Sequence, residues 1–178
     1  APDLLTDSLD AVLERADVVL ECSGDVGLAT DAADRAIAAG VPLVSLNTEF
    51  HVTTGSNFAG RGLVTEAEGD QPGCMAALRE EALAMGFAPL VYGNLKGFLN
   101  LDPDPAEMAY WAKRQKITVR AVTSYTDGTK LQIEQVLVAN GLGARIARQG
   151  MIGGEVADLA DLYYLADAAR AIGAPISD

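Results

Sequence analysis

Along the first 47 residues apolar positions follow two periods, and each period predicts an element. Ser8 to Arg15 carries a helical pattern that Asp7 can cap. Asp17-Val18-Val19-Leu20-Glu21 is a β-branched run that ends at Cys22-Ser23-Gly24 and predicts a strand. Val26 to Ala39 has apolar positions at Leu28, Ala32 and Ile37 and a stop at Gly40, which predicts a helix. Val41 to Asn47 reads as a second buried strand. Strand, helix and strand with short connections make a βαβ unit, which requires a parallel sheet and a right-handed crossover.

A second sector begins near Leu63, where Leu63 to Glu66 reads as another strand. Gly69-Asp70-Gln71-Pro72-Gly73 predicts a turn feeding a helix over about Cys74 to Met85, with Gly86 as its stop. Pro89 to Gly93 predicts a strand, and Asn94-Leu95-Lys96-Gly97 leaves its carboxyl end. Asp102 to Pro105 reads as a loop that starts a helix over Ala106 to Arg114. Thr118 to Ser124 reads as strand-like or irregular. Thr126-Asp127-Gly128-Thr129 opens a helix reaching about Ala139, and Val156 to Ile172 predicts a last amphipathic helix. Gly141-Leu142-Gly143 follows a helix and reads as its stop.

In an open parallel sheet ligands bind at the carboxyl ends of the strands. Two such ends carry polar groups. Ser23 and the amides of Gly24 and Asp25 suit the edge of a ribose or nicotinamide, or equally form a plain helix-capping turn. Asn47 and Glu49 suit the orientation of a polar ligand, or are ordinary loop residues. Asp70 and Gln71 sit where free helix amides can hold an anionic substrate, and a simple helix entry explains them too. On a continuous helix Asp127, Lys130 and Glu134 share one face, where a lysine between carboxylates can polarise a carbonyl or donate a proton. A solvated charge group is the plainer account of that face. His51 is the single histidine and reads as a loop residue. Cys22 and Cys74 read as small core or near-core residues, and Tyr110, Trp111, Tyr163 and Tyr164 as packing groups on helices.

Composition narrows the class. Hydrophobic residues make up 49% and charged ones 21% of 178 residues, a globular balance. The net charge of −12 excludes a phosphate-tracking nucleic-acid binder and a polybasic membrane-surface protein. Two cysteines make neither a disulfide framework nor a zinc knuckle, and one histidine makes no His-rich metal site. A soluble, reduced, acidic globular chain in the cytoplasm is the expectation, with no nucleic-acid or membrane partner. No Gly-x-Gly-x-x-Gly follows a strand. Either the fold binds no dinucleotide, or the chain starts after that fingerprint and carries the C-terminal half of a Rossmann-type nucleotide-binding domain. The lack of an initiator Met and the start in a helix favour the second expectation.

The segments Val18 to Gly24, Asn47 to Gly55, Gly69 to Gly73 and Asp127 to Lys130, taken in this order, resemble the homoserine-dehydrogenase-like NAD(P)-dependent oxidoreductases. The resemblance covers about residues 5 to 155 and is nearest the branch that often carries a SAF domain. That branch includes a reductoisomerase-like enzyme acting on 1-deoxy-D-xylulose 5-phosphate. It implies an α/β chain divided into a partial nucleotide-binding domain over 1–65, an α+β substrate and catalytic domain over 66–155 and a C-terminal helix over 156–178. It further implies Cys22, Ser23, Gly24, Asn47 and Glu49 as cofactor-binding residues. Lys96, Asp70 and Gln71 would meet the substrate, Lys130 and Asp127 would be catalytic, and the whole protein would form a homo-oligomer. The cofactor would be NAD or NADP, with a divalent metal only for a reductoisomerase. Homoserine dehydrogenases usually carry a lysine just after the asparagine, where Thr48 stands here. Two other functions remain beside hydride transfer: a reductoisomerase acting on a sugar phosphate, and a non-catalytic Rossmann-like binding module.

Overall fold

The structure, a computed structural model, describes residues 5–178. It divides into two compact units, one ending at Ala77 and one running from Leu78 to Asp178. The chain is α/β, with parallel strands in each unit.

The first unit contains α1 (Leu9–Leu13), β1 (Val19–Glu21), α2 (Val26–Ala39), β2 (Leu43–Ser45), α3 (Thr48–Thr53), β3 (Val64–Glu66) and the start of α4 (Gln71–Ala84). Its sheet runs β1-β2-β3 with every pair parallel, as the βαβ pattern requires. Helix α2 starts where the Asp25 carboxylate accepts from the Leu28 amide at 2.8 Å. It ends at Gly40, whose φ of 71° is left-handed and favours glycine. The buried stripe of α2 is Ala29, Ala32, Ala33 and Ala36, packed with Leu43, Phe50 and Phe58. Leu28, expected to point inward, is 52% exposed because the small alanines take the face that lies against the sheet. In α1 the cap is Ser8 rather than Asp7: its hydroxyl accepts from the Ala11 amide.

The second unit contains the rest of α4, β4 (Val91–Tyr92), α5 (Pro105–Gln115), α6 (Val119–Thr126), α7 (Thr129–Leu142), α8 (Tyr163–Ile172) and β5 (Ile176–Ser177). Strands β4 and β5 pair in parallel, and Arg145 bridges to Ile176 beside them. One apolar cluster joins α5 and α6 through Met108, Ala112 and Val122, and another gathers Leu165, Ala169 and Ile176. The segment expected to be strand-like, Thr118 to Ser124, is helical. Thr118 caps it by accepting from the Ala121 amide, and Val122 reaches the α5 cluster. Tertiary packing overrides the strand preference of its β-branched residues. The last predicted helix begins later than expected, with a 3-10 turn over Leu159–Leu162 leading into α8.

Both cysteines are exposed rather than near-core. Trp111 packs against the α5–α6 cluster and Tyr164 against the α8 cluster, while Tyr110 and Tyr163 are exposed. Among the described residues no helix is long and apolar enough to cross a membrane.

Candidate functional site

At the carboxyl edge of the first sheet, register sets Glu21, Ser45 and Glu66 side by side across three strands. Burying a carboxylate is costly unless its oxygens are partnered. Glu21 meets that condition: its Oε1 accepts from the Ser23 amide at 2.8 Å and hydroxyl at 2.5 Å, and its Oε2 from the Ser45 hydroxyl at 2.8 Å. Ser23 is therefore committed to the turn. The Asp25 amide in turn donates to the Ser23 hydroxyl, so the capping function of this segment is realised. Gly24 has a φ of 69°, which holds the turn open, and Cys22 lies exposed beside it.

The second strand end is helical rather than a loop. Asn47 caps α3: its Oδ1 accepts from the Phe50 amide at 3.1 Å, so its Nδ2 is turned the other way. That Nδ2 is buried and has no hydrogen-bond partner in the structure. His51, expected in a loop, lies on α3 with Nε2 2.9 Å from Glu66 Oε2, though not aligned as a hydrogen bond. Glu66 Oε1 is a further buried atom without a partner. Glu49 occupies the first turn of the same helix and is half-buried.

The Gly69 to Gly73 segment is already helical from Gln71, earlier than its Pro72 and Gly73 suggest. Asp70 Oδ1 accepts from the Gln71 amide, Asp70 O from the Cys74 amide, and Asp70 Oδ2 from the Thr48 hydroxyl. Its own carboxylate thus stands where an anionic ligand was expected at this helix start, and like charge disfavours a second anion there. Gln71 is half-buried at the first helical position. Gly73 packs on the preceding turn so closely that a Cβ would lie 2.1 Å from Ala67 O.

In the second unit the polar groups gather at the carboxyl end of β4 and β5. Asn94 follows β4, and its amide donates to Asp178 O at 2.9 Å. Its side-chain Nδ2 donates at 2.9 Å to Glu134 Oε2 on α7, across 40 positions of chain. Lys96 Nζ approaches the same oxygen at 3.9 Å, with side-chain exposures of 31% for Lys96 and 3% for Glu134. The adjacent Gln135 is fully buried and ties both strands together. Asp178 completes the edge, its two carboxylate oxygens accepting from the Ile152 and Gly153 amides at 2.5 and 3.0 Å.

Asp127, Lys130 and Glu134 do not share one helix. Gly128, at φ 85°, separates α6 from α7, and Asp127 terminates α6. Its Oδ1 accepts from the Thr129 amide and hydroxyl at 2.8 and 2.6 Å, so it acts as a cap to the next helix. Lys130 is half-buried on α7 with Nζ 5.5 Å from the Tyr125 ring centroid, a cation–π distance. Asn94, Glu134 and Gln135 belong to this edge; Asn94 and Gln135 are not singled out by the sequence, and Glu134 enters it only as part of a charged face. Their signal, two polar residues at consecutive buried positions of a helix, emerges only once burial is known.

Residues 69–173, more than half of the chain, match the family model of the oxidoreductase DRL catalytic domain. The chain belongs to that family. The matched span of the DRL catalytic domain includes Asp70, Gln71, Asn94, Lys96, Asp127, Lys130 and Glu134, and it identifies the activity class as oxidoreductase. No curated protein matches the chain.

Proposed function

We propose that this DRL catalytic domain transfers a hydride between a nicotinamide cofactor and a small polar alcohol or carbonyl substrate. The observation that carries the reading is two of the three orphaned buried atoms at the first sheet's carboxyl edge, the donor Asn47 Nδ2 and the acceptor Glu66 Oε1, the third being His51 Nε2 beside Glu66. A primary carboxamide offers the complementary acceptor and donor, and unpaired buried polar groups are too costly to be incidental. The residues thus fit a nicotinamide, with Asn47 and Glu66 as its holders and Ser23, Gly24 and Glu49 on neighbouring turns. When bound, that group supplies or accepts the hydride.

The lysines of the second unit supply what the substrate needs. Lys130 stabilises the negative charge that builds on the substrate oxygen and delivers its proton, with Asp127 fixing the start of α7 beneath it. Lys96 binds an anionic group of the substrate. Among the described residues no cluster of three or more His, Cys, Asp or Glu side chains is arranged to hold a metal ion. No step is assigned to a divalent cation.

The test uses the full-length protein. NADH and NADPH binding is measured by calorimetry, and small alcohols and phosphorylated sugars are screened for absorbance change at the nicotinamide band. Binding tighter than about 10 μM, weakened about tenfold or more by Asn47→Asp, supports the reading. Asn47→Asp keeps the helix cap but removes the donor. No turnover and no dinucleotide binding would leave a non-catalytic module. Mass and NMR analysis of the product separates simple dehydrogenation from carbon-skeleton rearrangement.

A further inference from the structure

A carboxylate taken out of water loses several kcal/mol of solvation unless charges and hydrogen bonds replace it. Glu134 is such a group, with 3% of its side chain exposed. Its Oε2 takes a hydrogen bond from Asn94 at 2.9 Å and faces Lys96 Nζ at 3.9 Å. Asn94 is not free to drift, because its backbone amide is bonded to Asp178 O at the end of the β4–β5 sheet. A line of contacts therefore runs from the sheet through an amide and a carboxylate to an ammonium whose side chain is 31% exposed. Lys96 leaves a segment with no regular secondary structure, and a flexible four-carbon stem there would otherwise wander.

We propose that Glu134, fixed by Asn94, is a positioning residue that holds the Lys96 ammonium where the substrate's anionic group meets it. This rests on the reading of Lys96 as the anion-binding residue. Glu134 touches no substrate atom and reaches the anion by way of Lys96. Its location four residues after Lys130 on α7 places both lysines under the control of one helix.

A double-mutant cycle on the full-length protein tests it. Dissociation constants for glycerol 3-phosphate and for lactate, a phosphate and a carboxylate probe, are measured by calorimetry without cofactor. Lys96→Met should weaken the preferred probe by about 10- to 100-fold. Glu134→Gln, near-isosteric and still able to accept from Asn94, should weaken it about tenfold. The double variant should lie within about threefold of Lys96→Met, because Glu134 has nothing left to position. Losses that multiply would overturn the proposal and make Glu134 an independent contact. A wild-type protein that binds neither probe, or a Lys96→Met protein that binds as well as wild type, overturns the underlying anion assignment instead. A urea midpoint needs no ligand: Lys96→Met should lower it and adding Glu134→Gln should restore most of the loss. An unchanged midpoint in Lys96→Met would show that the ammonium does not engage the carboxylate, and the proposal fails.

Discussion

Gln135 clamps Asp178 onto β4. Its Nε2 donates to Tyr92 O at 3.3 Å and to Asp178 O at 3.0 Å, and its Oε1 accepts from the Ser177 hydroxyl at 2.8 Å. Gln135→Leu should cost about 2 kcal/mol of stability, since it removes a satisfied buried network. Gln135→Glu should cost more at neutral pH, because a carboxylate cannot donate and would face two carbonyl oxygens. Urea denaturation of both variants checks the order, and a Glu variant as stable as the Leu variant contradicts it.

Gly73 is the tightest point of the first unit. A Cβ there would meet Ala67 O at 2.1 Å and Glu68 Cα at 2.9 Å, both backbone atoms that cannot swing aside. Gly73→Ala should therefore destabilise by at least about 2 kcal/mol, although alanine is the better helix former. A melting temperature equal to or above wild type would show that α4 slides on its turn at little cost.

The proposed roles give Lys130 and Asp127 unequal shares of the chemistry. Lys130→Met should lower kcat by about 10²- to 10³-fold, as the loss of a fixed cation does. Asp127→Asn should do far less, because an amide oxygen can still accept from the Thr129 amide and hydroxyl. Circular dichroism should stay native in both. A Lys130→Met enzyme within about threefold of wild type would return Lys130 to the role of a packing cation on Tyr125.

Arg79 gives a pH prediction with a definite sign. Its hydrogen bond to Tyr92, and secondarily to Glu80, raises its pKa above the ordinary value, while desolvation opposes the shift. A raised folded pKa stabilises fully below the unfolded value and is lost only as pH climbs through the folded one. Both lie above the working range, so the loss caused by Arg79→Gln should be equal at about pH 6 and about pH 9. A loss that differed between the two pH values would point to another titrating partner.

Local chemistry made part of this fold readable. Asp25 and Gly40 bracket α2, and Asp104 with Pro105 starts α5, so caps and stops lay in plain view. Helix α3 was hidden because Asn47 reads equally as a strand end and as a cap. Helix α6 was hidden because Thr118 and Val119 favour extended backbone until Val122 finds its partners in α5. Strand β5 spans only Ile176–Ser177, too short for any period. At the site, Lys96 and Lys130 were visible as lysines near element ends. Glu134 was visible only as part of a charged face, because the contact that buries it comes from Asn94, 40 residues away.

Glu134 and Gln135 are neighbours on α7, yet one faces the lysine edge and the other the strands. Successive helix residues point about 100° apart, so one rigid rod carries both directions at once. Any rotation of α7 that repositions Lys96 also strains the bonds closing β4 onto β5. An anion captured at Lys96 should therefore be felt as slower hydrogen–deuterium exchange at the Asn94 and Asp178 amides, both of which donate across that strand pair. Under the proposed role of Lys96, the rod makes the sheet an internal gauge of what the lysine holds.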